Sequence, residues 1–341
     1  MTLMIKPASS QCNMRCDYCF YRDEAARREI PDCGRMSFAT LENTVRRAMA
    51  FADGEAHFVF QGGEPTLADT DFFRVAVKLQ KKYNTRGIAV SNSVQTNGLD
   101  VPEDMMRLFA QERFLVGVSL DGTKQTHEAH RGKTYDRVKA NLDRMLAMGV
   151  SCNALCVITK DVARNAAAVY EALAPYRYVQ FIPCMDAMTG ETSEYSLTNT
   201  DYAQFLLEPL PLYTKGGVSV RMFDNWKGIL HGAAPEQCGM CGRCTQYFLV
   251  EADGSVYPCD FYALDEWRLG NVNTASFVKM AKSETQDRFI ARSLPVPETC
   301  RACEWYFLCR NGCKRERDEN GVYRFCAAHK QALPVIARAL R

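Results

Sequence analysis

Three cysteines near the start of the chain have a spacing that could hold an iron–sulfur cluster. Cys12, Cys16 and Cys19 form a CxxxCxxC pattern after the short apolar run at residues 2–7. Three thiolates can bind three irons of a [4Fe–4S] cluster, which leaves the fourth iron open to an exogenous ligand. A zinc loop with a fourth ligand elsewhere, or a redox CxxC pair, is the alternative interpretation. The cluster is favoured because zinc sites more often contain paired CxxC units.

The total number of cysteines supports metal binding. The 341 residues include 16 cysteines, far more than an ordinary cytosolic enzyme needs. No apolar run approaches the roughly 20 residues of a membrane-spanning helix, and residues 1–7 lack the sections of a signal peptide. We therefore expect a cytoplasmic protein, in which clustered cysteines bind metal more often than they form disulfides. The net charge of +2, without a basic run, does not indicate nucleic-acid or membrane binding.

Strand-like and helix-like segments alternate from residue 1 to about residue 225. The strand-like runs lie at residues 2–7, 57–61, 88–90 with 93–95, 114–119, 151–159 and 178–182, and a helical pattern or loop follows each. The predicted helices include those at residues 38–51 and 201–213. This repetition predicts a parallel sheet covered by helices. A closed barrel would need about eight such units, so we predict an α/β fold with an open, partial (β/α)6 barrel at residues 1–232. The active site of such a fold gathers at the carboxyl ends of the strands.

Polar and glycine-containing motifs follow three of the predicted strands. The second strand ends at Gln61-Gly62-Gly63-Glu64-Pro65-Thr66, the third at Gln95-Thr96-Asn97-Gly98 and the fourth at Ser119-Leu120-Asp121-Gly122. Glycines let the backbone approach a ligand closely, and Glu64 could pair with an ammonium group. Taken singly, each motif is also compatible with an ordinary turn.

A second group of cysteines follows Gly232, where the alternation stops. Asp253-Gly254 lies between two apolar runs and predicts a hairpin. The cysteines of this group are Cys238, Cys241, Cys244, Cys259, Cys300, Cys303, Cys309, Cys313 and Cys326. Four-thiolate zinc sites could use the same residues, but they would not explain Cys12–Cys19. We predict a cysteine-rich domain at residues 233–341 that ends in a helix.

The CxxxCxxC motif, with the aromatic Tyr18 before its last cysteine, resembles that of the radical SAM enzymes. The resemblance implies a cluster at Cys12, Cys16 and Cys19 whose open iron binds the amino and carboxylate groups of S-adenosylmethionine (SAM). It further implies SAM contacts from Tyr18, Gly62, Gly63, Glu64, Ser119, Arg131 and Met185. From the sequence alone, Arg131 could also be a solvated surface arginine, and the sequence around Met185 favours a core methionine.

The later cysteines resemble those of SPASM domains, which carry two auxiliary [4Fe–4S] clusters. The resemblance implies that the first auxiliary cluster uses Cys238, Cys244, Cys259 and Cys313. The second would use Cys300, Cys303, Cys309 and Cys326. Five cysteines then remain, namely Cys33, Cys152, Cys156, Cys184 and Cys241. Spacing does not exclude Cys241 as a ligand, because it forms a competing CxxCxxC pattern with Cys238 and Cys244.

Three stretches together resemble the anaerobic sulfatase-maturating enzymes: Gln61–Thr66, Asp253–Pro258 and Cys259-Asp260-Phe261-Tyr262. The similarity extends from Lys6 to about Cys326. Enzymes of this family oxidise a cysteine or serine of a sulfatase to Cα-formylglycine. The resemblance therefore implies three [4Fe–4S] clusters, SAM, a sulfatase polypeptide as substrate, and a one-electron donor such as flavodoxin or ferredoxin.

The same resemblance suggests roles for residues around the substrate. Asp260 would be the general base that accepts the thiol or hydroxyl proton; the alternative is an aspartate that caps the hairpin turn. The expected substrate contacts are Tyr21, Gln61, Gln95 and Asn97.

Two other functions are compatible with the sequence. A SPASM peptide maturase would form a thioether, a carbon–carbon bond or an epimer on a ribosomal peptide, and the mass of the product distinguishes these outcomes from an aldehyde. A non-enzymatic metal-binding interaction module would have no use for an open iron. Formation of 5′-deoxyadenosine from SAM would exclude it.

Overall fold

The computed structural model describes all 341 residues. The chain divides into two compact units, each assembled from separate segments. The first unit comprises Met1–Ser119, Arg131–Cys152 and Gln246–Phe289, and the second comprises Leu120–His130, Asn153–Thr245 and Ile290–Arg341. Both units combine segments from before and after residue 232, and the domain boundary expected there stays a prediction.

The chain forms ten strands. In chain order they are β1 (Thr2–Ile5), β2 (Glu55–Phe60), β3 (Ala89–Thr96), β4 (Leu115–Ser119), β5 (Ser151–Ile158), β6 (Tyr178–Pro183), β7 (Ser219–Val220), β8 (Phe248–Val250), β9 (Ser255–Tyr257) and β10 (Gly270–Asn271). The helices, in the same order, are α1 (Phe20–Ala25), α2 (Phe38–Phe51), α3 (Asp69–Tyr83), α4 (Glu103–Gln111), α5 (Lys124–Arg131), α6 (Tyr135–Ala147), α7 (Lys160–Arg164), α8 (Ala166–Leu173), α9 (Asn199–Leu207), α10 (Leu210–Thr214), α11 (Arg221–Leu230), α12 (Phe277–Ala281), α13 (Glu284–Ala291), α14 (Glu298–Arg301), α15 (Tyr306–Cys309) and α16 (Cys326–Leu340). None of these helices combines the length and apolar character needed to cross a membrane.

The strands of the first unit pair in both parallel and antiparallel directions, with β1 between the two groups. Strands β1 to β4 pair in parallel and in chain order. On its other side, β1 pairs in parallel with β8, and β8, β9 and β10 then pair antiparallel. The hairpin predicted at Asp253-Gly254 is present between β8 and β9, and Gly254 has the positive φ of +88° that this turn requires. The pairing of β1 with β8 brings the segment before Cys259 next to the segment before Cys12.

The interior of the first unit is built from aromatic side chains behind β2 to β4. Phe60 packs against Phe73 with 5.2 Å between ring centroids, and Phe109 packs against Phe114 at 4.9 Å. All four side chains are fully buried. Close packing of this core supports the strands, whose carboxyl ends carry the polar residues.

The second unit contains its own parallel strands and a long final helix. Strand β5 pairs in parallel with β6, and β6 pairs with β7. Helix α16 is anchored at its first turn, where the Asn199 side chain accepts a hydrogen bond from the Ala328 N–H at 2.9 Å. The helix expected at the end of the cysteine-rich region is therefore present.

The alternation of strands and helices predicted from the sequence is confirmed. Helix α2 has the predicted bounds and begins after Ser37, whose hydroxyl accepts the Thr40 N–H. Two expectations were wrong in detail. The third strand is continuous from Ala89 to Thr96, and the helix expected at 201–213 is divided into α9 and α10 around Pro209. Pro209 has no backbone N–H to continue the helical hydrogen bonds, which explains the division.

Candidate active site

The loop between β1 and α1 carries Cys12, Cys16 and Cys19, and nitrogen donors lie beside the sulfur atoms of the first two. The backbone N–H of Met14 lies 3.4 Å from the Cys12 Sγ, and the Asn97 Nδ2 lies 3.6 Å from it. The Arg131 Nη1 lies 3.6 Å from the Cys16 Sγ. Burial raises the pKa of the Cys12 thiol, and the Met14 and Asn97 donors act in the opposite direction, toward the thiolate form that binds iron. The loop therefore fits a set of three cluster ligands.

Gly62 and Gly63 pack directly against this cysteine loop. The Gly63 N–H donates to the Ser9 carbonyl at 2.9 Å, and the Glu64 N–H donates to the Gln11 carbonyl at 2.7 Å. A Cβ atom on Gly63 would lie 2.1 Å from that Gln11 oxygen, so no side chain fits there. The glycine pair thus brings the strand end close to the cysteine loop. Its contact with SAM stays a prediction.

Glu64 is a buried carboxylate held by four hydrogen bonds. Its Oε1 accepts from the Thr66 N–H at 3.0 Å, the Thr66 hydroxyl at 2.7 Å and the Thr96 hydroxyl at 2.8 Å. Its Oε2 accepts from the Asn97 N–H at 2.7 Å. Burial raises the pKa of Glu64, while these hydrogen bonds act in the opposite direction. Since Oε2 has a single donor, it can accept one more from a ligand.

Three further residues of the first unit that are expected near SAM or substrate, Asn97, Gln95 and Ser119, are held by side-chain hydrogen bonds. The Asn97 Nδ2 donates to the Asn13 Oδ1 at 2.7 Å, which ties the end of β3 to the cysteine loop. The Gln95 Nε2 donates to the Ser119 Oγ at 3.1 Å. These contacts place the ends of β3 and β4 side by side. The roles of Asn97, Gln95 and Ser119 in binding remain predictions.

Arg131 and Tyr18 lie together beside Cys16. The Arg131 guanidinium lies 5.3 Å from the centroid of the Tyr18 ring, in a cation–π arrangement. Arg131 is 9% exposed, so it is not the solvated surface arginine that the sequence left open. Met185, the remaining expected SAM contact, follows β6 in the second unit.

Asp260 follows β9 and is buried, with one oxygen bound and the other without a partner. Its Oδ2 accepts from the Tyr21 hydroxyl at 2.8 Å and lies 3.5 Å from the Gln61 Nε2. Its Oδ1 has no hydrogen-bond partner. The hairpin is capped instead by Asp253, which accepts the Ser255 N–H at 2.8 Å. The alternative of a turn-capping role is therefore not supported for Asp260.

The environment of Asp260 favours a proton acceptor that works near neutral pH. Burial raises the pKa of Asp260 to about 7, with the Lys6 ammonium acting to lower it and the Glu24 carboxylate to raise it. A buried carboxyl group whose pKa lies near the working pH can both accept and release a proton. Tyr21, the donor to this carboxylate, is only two residues beyond Cys19, so Asp260 lies near the predicted cluster.

Sequence reasoning missed a buried charge network next to Asp260. The Lys6 Nζ lies 3.1 Å from the Glu24 Oε2 and 3.5 Å from the Glu251 Oε1, and the Arg28 Nη1 lies 2.6 Å from the same Glu251 oxygen. The Lys6 ammonium also lies 4.5 Å from the Tyr21 ring centroid. The one feature of the sequence that could have indicated this network was a charged residue directly after an apolar strand. Lys6 follows β1 in this way, and Glu251 follows β8.

In the second unit, the four cysteines predicted to bind the second auxiliary cluster lie close together. Burial raises the pKa of the Cys309 thiol to about 12, and negative charge on Cys326, Cys300 and Cys303 adds to the effect. The Nδ1 of His329 lies 3.1 Å from the Cys309 Sγ. Mutual repulsion of this kind is expected where thiolates share a cluster.

Of the four cysteines predicted for the first auxiliary cluster, three influence one another in the structure. Burial raises the pKa of Cys313 to about 12, and the charges of Cys238 and Cys244 also raise it. These three thiols lie in the second unit, whereas Cys259 belongs to the first. The Cys241 thiol lies 3.5 Å from the Gln237 carbonyl oxygen. The ligand set of this cluster stays a prediction.

Comparison with known proteins gives matches along nearly the whole chain. Residues 7–170 match the radical SAM superfamily, and residues 234–304 match an iron–sulfur cluster-binding domain, the SPASM domain. A cysteine-type anaerobic sulfatase-maturating enzyme from Clostridium novyi (strain NT) is 41% identical over 94% of this chain and 89% of its own length. A serine-type enzyme from Klebsiella aerogenes is 29% identical over 99% of this chain and 86% of its own.

A solved structure has nearly the same fold. The structure described as native anSMEcpe with bound AdoMet and Cp18Cys peptide has a TM-score of 0.92 and 36% identity, and the match covers 99% of this chain and 98% of that one.

Proposed function

The chain belongs to the anaerobic sulfatase-maturating enzymes, and we propose that it oxidises a cysteine of a sulfatase-derived polypeptide to Cα-formylglycine. The fold class predicted from the sequence, a radical SAM domain with a SPASM domain, is confirmed by the family matches. Membership implies [4Fe–4S] clusters and SAM as cofactors.

The observation that carries the proposal is the Asp260 carboxylate. It is buried, it is oriented by the Tyr21 hydroxyl at 2.8 Å, and its second oxygen has no partner in the protein. A partner-free acceptor beside the cluster loop is suited to take a proton from a substrate group placed there.

Two arguments favour cysteine over serine as the target. The chain is 41% identical to a cysteine-type relative but 29% identical to a serine-type one. The second argument is chemical. A thiol has a pKa near 8.5, so a carboxylate with a pKa of about 7 can deprotonate it readily, whereas a serine hydroxyl is a far weaker acid.

The residues that would hold the cofactors are those described above. Cys12, Cys16 and Cys19 would bind the first cluster, and the auxiliary clusters would take the two predicted sets of cysteines. The SAM contacts would be Tyr18, Gly62, Gly63, Glu64, Ser119, Arg131 and Met185. When bound, the first cluster and SAM would supply a 5′-deoxyadenosyl radical that removes a hydrogen atom from the substrate Cβ, and the auxiliary clusters would accept one further electron.

Asp260 accepts the remaining proton from the substrate thiol. Removal of a hydrogen atom, a proton and an electron from the CH2–SH group leaves a thioaldehyde. Water then replaces sulfur to give the aldehyde and hydrogen sulfide. Tyr21 fixes the direction of the Asp260 carboxylate, and Gln61, Gln95 and Asn97 are the proposed substrate contacts. Burial of Asp260 excludes bulk water from the proton transfer.

The electron donor and the location remain proposals. A one-electron donor such as flavodoxin or ferredoxin would supply the electron that starts each reaction. The cytoplasmic location expected from the sequence stays a prediction.

The test is turnover of matched peptides. Anaerobically reconstituted protein would be incubated with SAM, dithionite and a sulfatase-derived peptide that contains either cysteine or serine at the target position. We expect 5′-deoxyadenosine together with a cysteine-peptide product that has lower mass and reacts with a hydrazide. A product of unchanged mass would indicate epimerisation, and one that loses hydrogen but does not react with hydrazide would indicate a cross-link. Either result would contradict the proposal.

A further inference from the structure

His329 lies on the first turn of α16, three residues after Cys326, and contacts the sulfur of Cys309. Its Nδ1 is 3.1 Å from the Cys309 Sγ. Both cysteines belong to the set predicted for the second auxiliary cluster. One helical turn therefore carries a predicted ligand of that cluster and a hydrogen-bond partner of another ligand.

The surroundings of His329 determine which nitrogen carries the proton. The imidazole is buried among the rings of Tyr323, Trp226 and Tyr202, whose centroids lie 5.1, 5.8 and 6.0 Å away. Its Nε2 has no hydrogen-bond partner. An imidazolium, or a neutral ring protonated at Nε2, would bury an N–H without an acceptor, which is costly. The favoured state is a neutral ring with its proton on Nδ1.

The direction of the contact with Cys309 follows from this state. A cysteine that binds iron has lost its thiol proton, so its sulfur can only accept a hydrogen bond. Nδ1–H of His329 is then the donor. The backbone N–H of Asn311 also hydrogen bonds to Cys309, so this ligand keeps one donor when the imidazole is removed.

We propose that His329 donates an Nδ1–H···S hydrogen bond to the Cys309 thiolate and thereby raises the reduction potential of the second auxiliary cluster. This inference rests on the proposed function, which assigns the cluster to these cysteines. Hydrogen bonds to cluster sulfurs offset the negative charge that reduction adds, and so favour the reduced state. A higher potential makes the cluster a better acceptor for the electron that leaves the substrate.

The test compares three variants of the reconstituted holoenzyme. His329→Phe keeps a ring among the aromatic neighbours but removes the donor, and His329→Gln offers an amide donor in its place. Asn199→Ala is the matched control, because Asn199 binds the Ala328 N–H and the Arg324 carbonyl at 2.9 Å each and supports the same helical turn without contacting a cysteine. Iron content and a redox titration followed by electron paramagnetic resonance would be measured for each.

We expect full iron content and a more negative midpoint for one auxiliary cluster in His329→Phe, with the other clusters unchanged. A tenfold loss of the reduced form would appear as a shift of about 59 mV for this one-electron couple. His329→Gln should recover part of the shift, and Asn199→Ala should show none.

Three results would overturn the inference. They are an unchanged midpoint in His329→Phe, an equal shift in Asn199→Ala, or loss of this cluster's iron in both His329 variants, which would mean that the residue only supports the fold. Failure of the proposed function would look different. The wild-type protein would then lack auxiliary-cluster iron, or would form the clusters without producing an aldehyde.

Discussion

Two buried carboxyl groups in the first unit, Glu64 and Asp260, show how differently the same chemical group can be used. Glu64 receives four hydrogen bonds from Thr66, Thr96 and Asn97, and both its oxygens are engaged. Asp260 receives one short hydrogen bond, from Tyr21, and its Oδ1 has no partner. The first group is fixed and can orient a ligand, whereas the second keeps an oxygen available to take a proton.

The surrounding charges add to this contrast. Burial raises the pKa of both groups. At Glu64, hydrogen bonds from Asn97, Thr66 and Thr96 oppose the rise. At Asp260 the Lys6 ammonium lowers the pKa, but Glu24 and Glu251 raise it, and the resulting value is about 7. We therefore expect Glu64 to act in the formation of the radical and Asp260 in the later reaction of the substrate.

The largest effect is expected when the three cysteines that are predicted to bind the first cluster are replaced. The triple variant Cys12→Ala, Cys16→Ala, Cys19→Ala should lose 5′-deoxyadenosine formation completely, because no ligand remains for the first cluster. Iron analysis should fall from about twelve to about eight irons per chain, since two four-iron clusters remain. Retention of SAM cleavage, or zinc in place of iron in the wild type, would contradict the cluster assignment.

An intermediate effect is expected at the Glu64 site. Glu64→Gln and Arg131→Ala should each weaken SAM binding by roughly 10- to 150-fold, because each loses a charge-assisted contact worth about 1.5–3 kcal/mol. Calorimetric titration of SAM into the reconstituted variants measures this change. The control is Glu42→Gln, an exposed glutamate that pairs with Lys82 at 2.7 Å. Wild-type SAM affinity in both site variants would show that these residues do not bind SAM.

The smallest effect is expected from Tyr21→Phe, which removes the hydroxyl donor to Asp260. The Tyr21 hydrogen bond lowers the pKa of Asp260, so its loss should raise that pKa. A general base accepts a proton only when it is deprotonated. The rate of formylglycine formation should therefore rise with pH through about pH 7 in the wild type. In the variant, the same rise should occur at a higher pH. Near neutral pH we expect a loss of roughly tenfold, the worth of one hydrogen bond.

Rates of aldehyde formation across pH, divided by rates of 5′-deoxyadenosine formation, would show this shift. Identical pH profiles for the wild type and Tyr21→Phe would mean that Tyr21 does not act on the base.

The sequence was informative where spacing or periodicity determines the structure. The alternation of β1 to β6 with helices, the bounds of α2 and the hairpin at Asp253-Gly254 all depend on local patterns, and the structure contains them. The cysteine motifs were read from the same kind of spacing, and the ligand sets that they imply stay predictions.

What the sequence could not provide were contacts between distant segments. The Tyr21–Asp260 hydrogen bond joins residues 239 positions apart, and the Arg28–Glu251 contact spans 223. The close approach of Gly63 to Gln11 likewise appears only in the folded chain, because the glycine alone does not reveal what lies against it. The pKa of the Asp260 carboxyl group depends on contacts with distant segments. Its role as a base could therefore be predicted only from the family resemblance.

The most direct test of these separate roles is to measure the aldehyde and 5′-deoxyadenosine formed by Asp260→Asn and by Glu64→Gln. Asparagine preserves the shape of the side chain but cannot accept the proton, so aldehyde should fall by about 10²–10⁴ while 5′-deoxyadenosine still forms. In Glu64→Gln, both products should fall together and recover at high SAM concentration. Aldehyde at the wild-type rate in Asp260→Asn, or a parallel loss of 5′-deoxyadenosine, would contradict the assignment of Asp260 as the base.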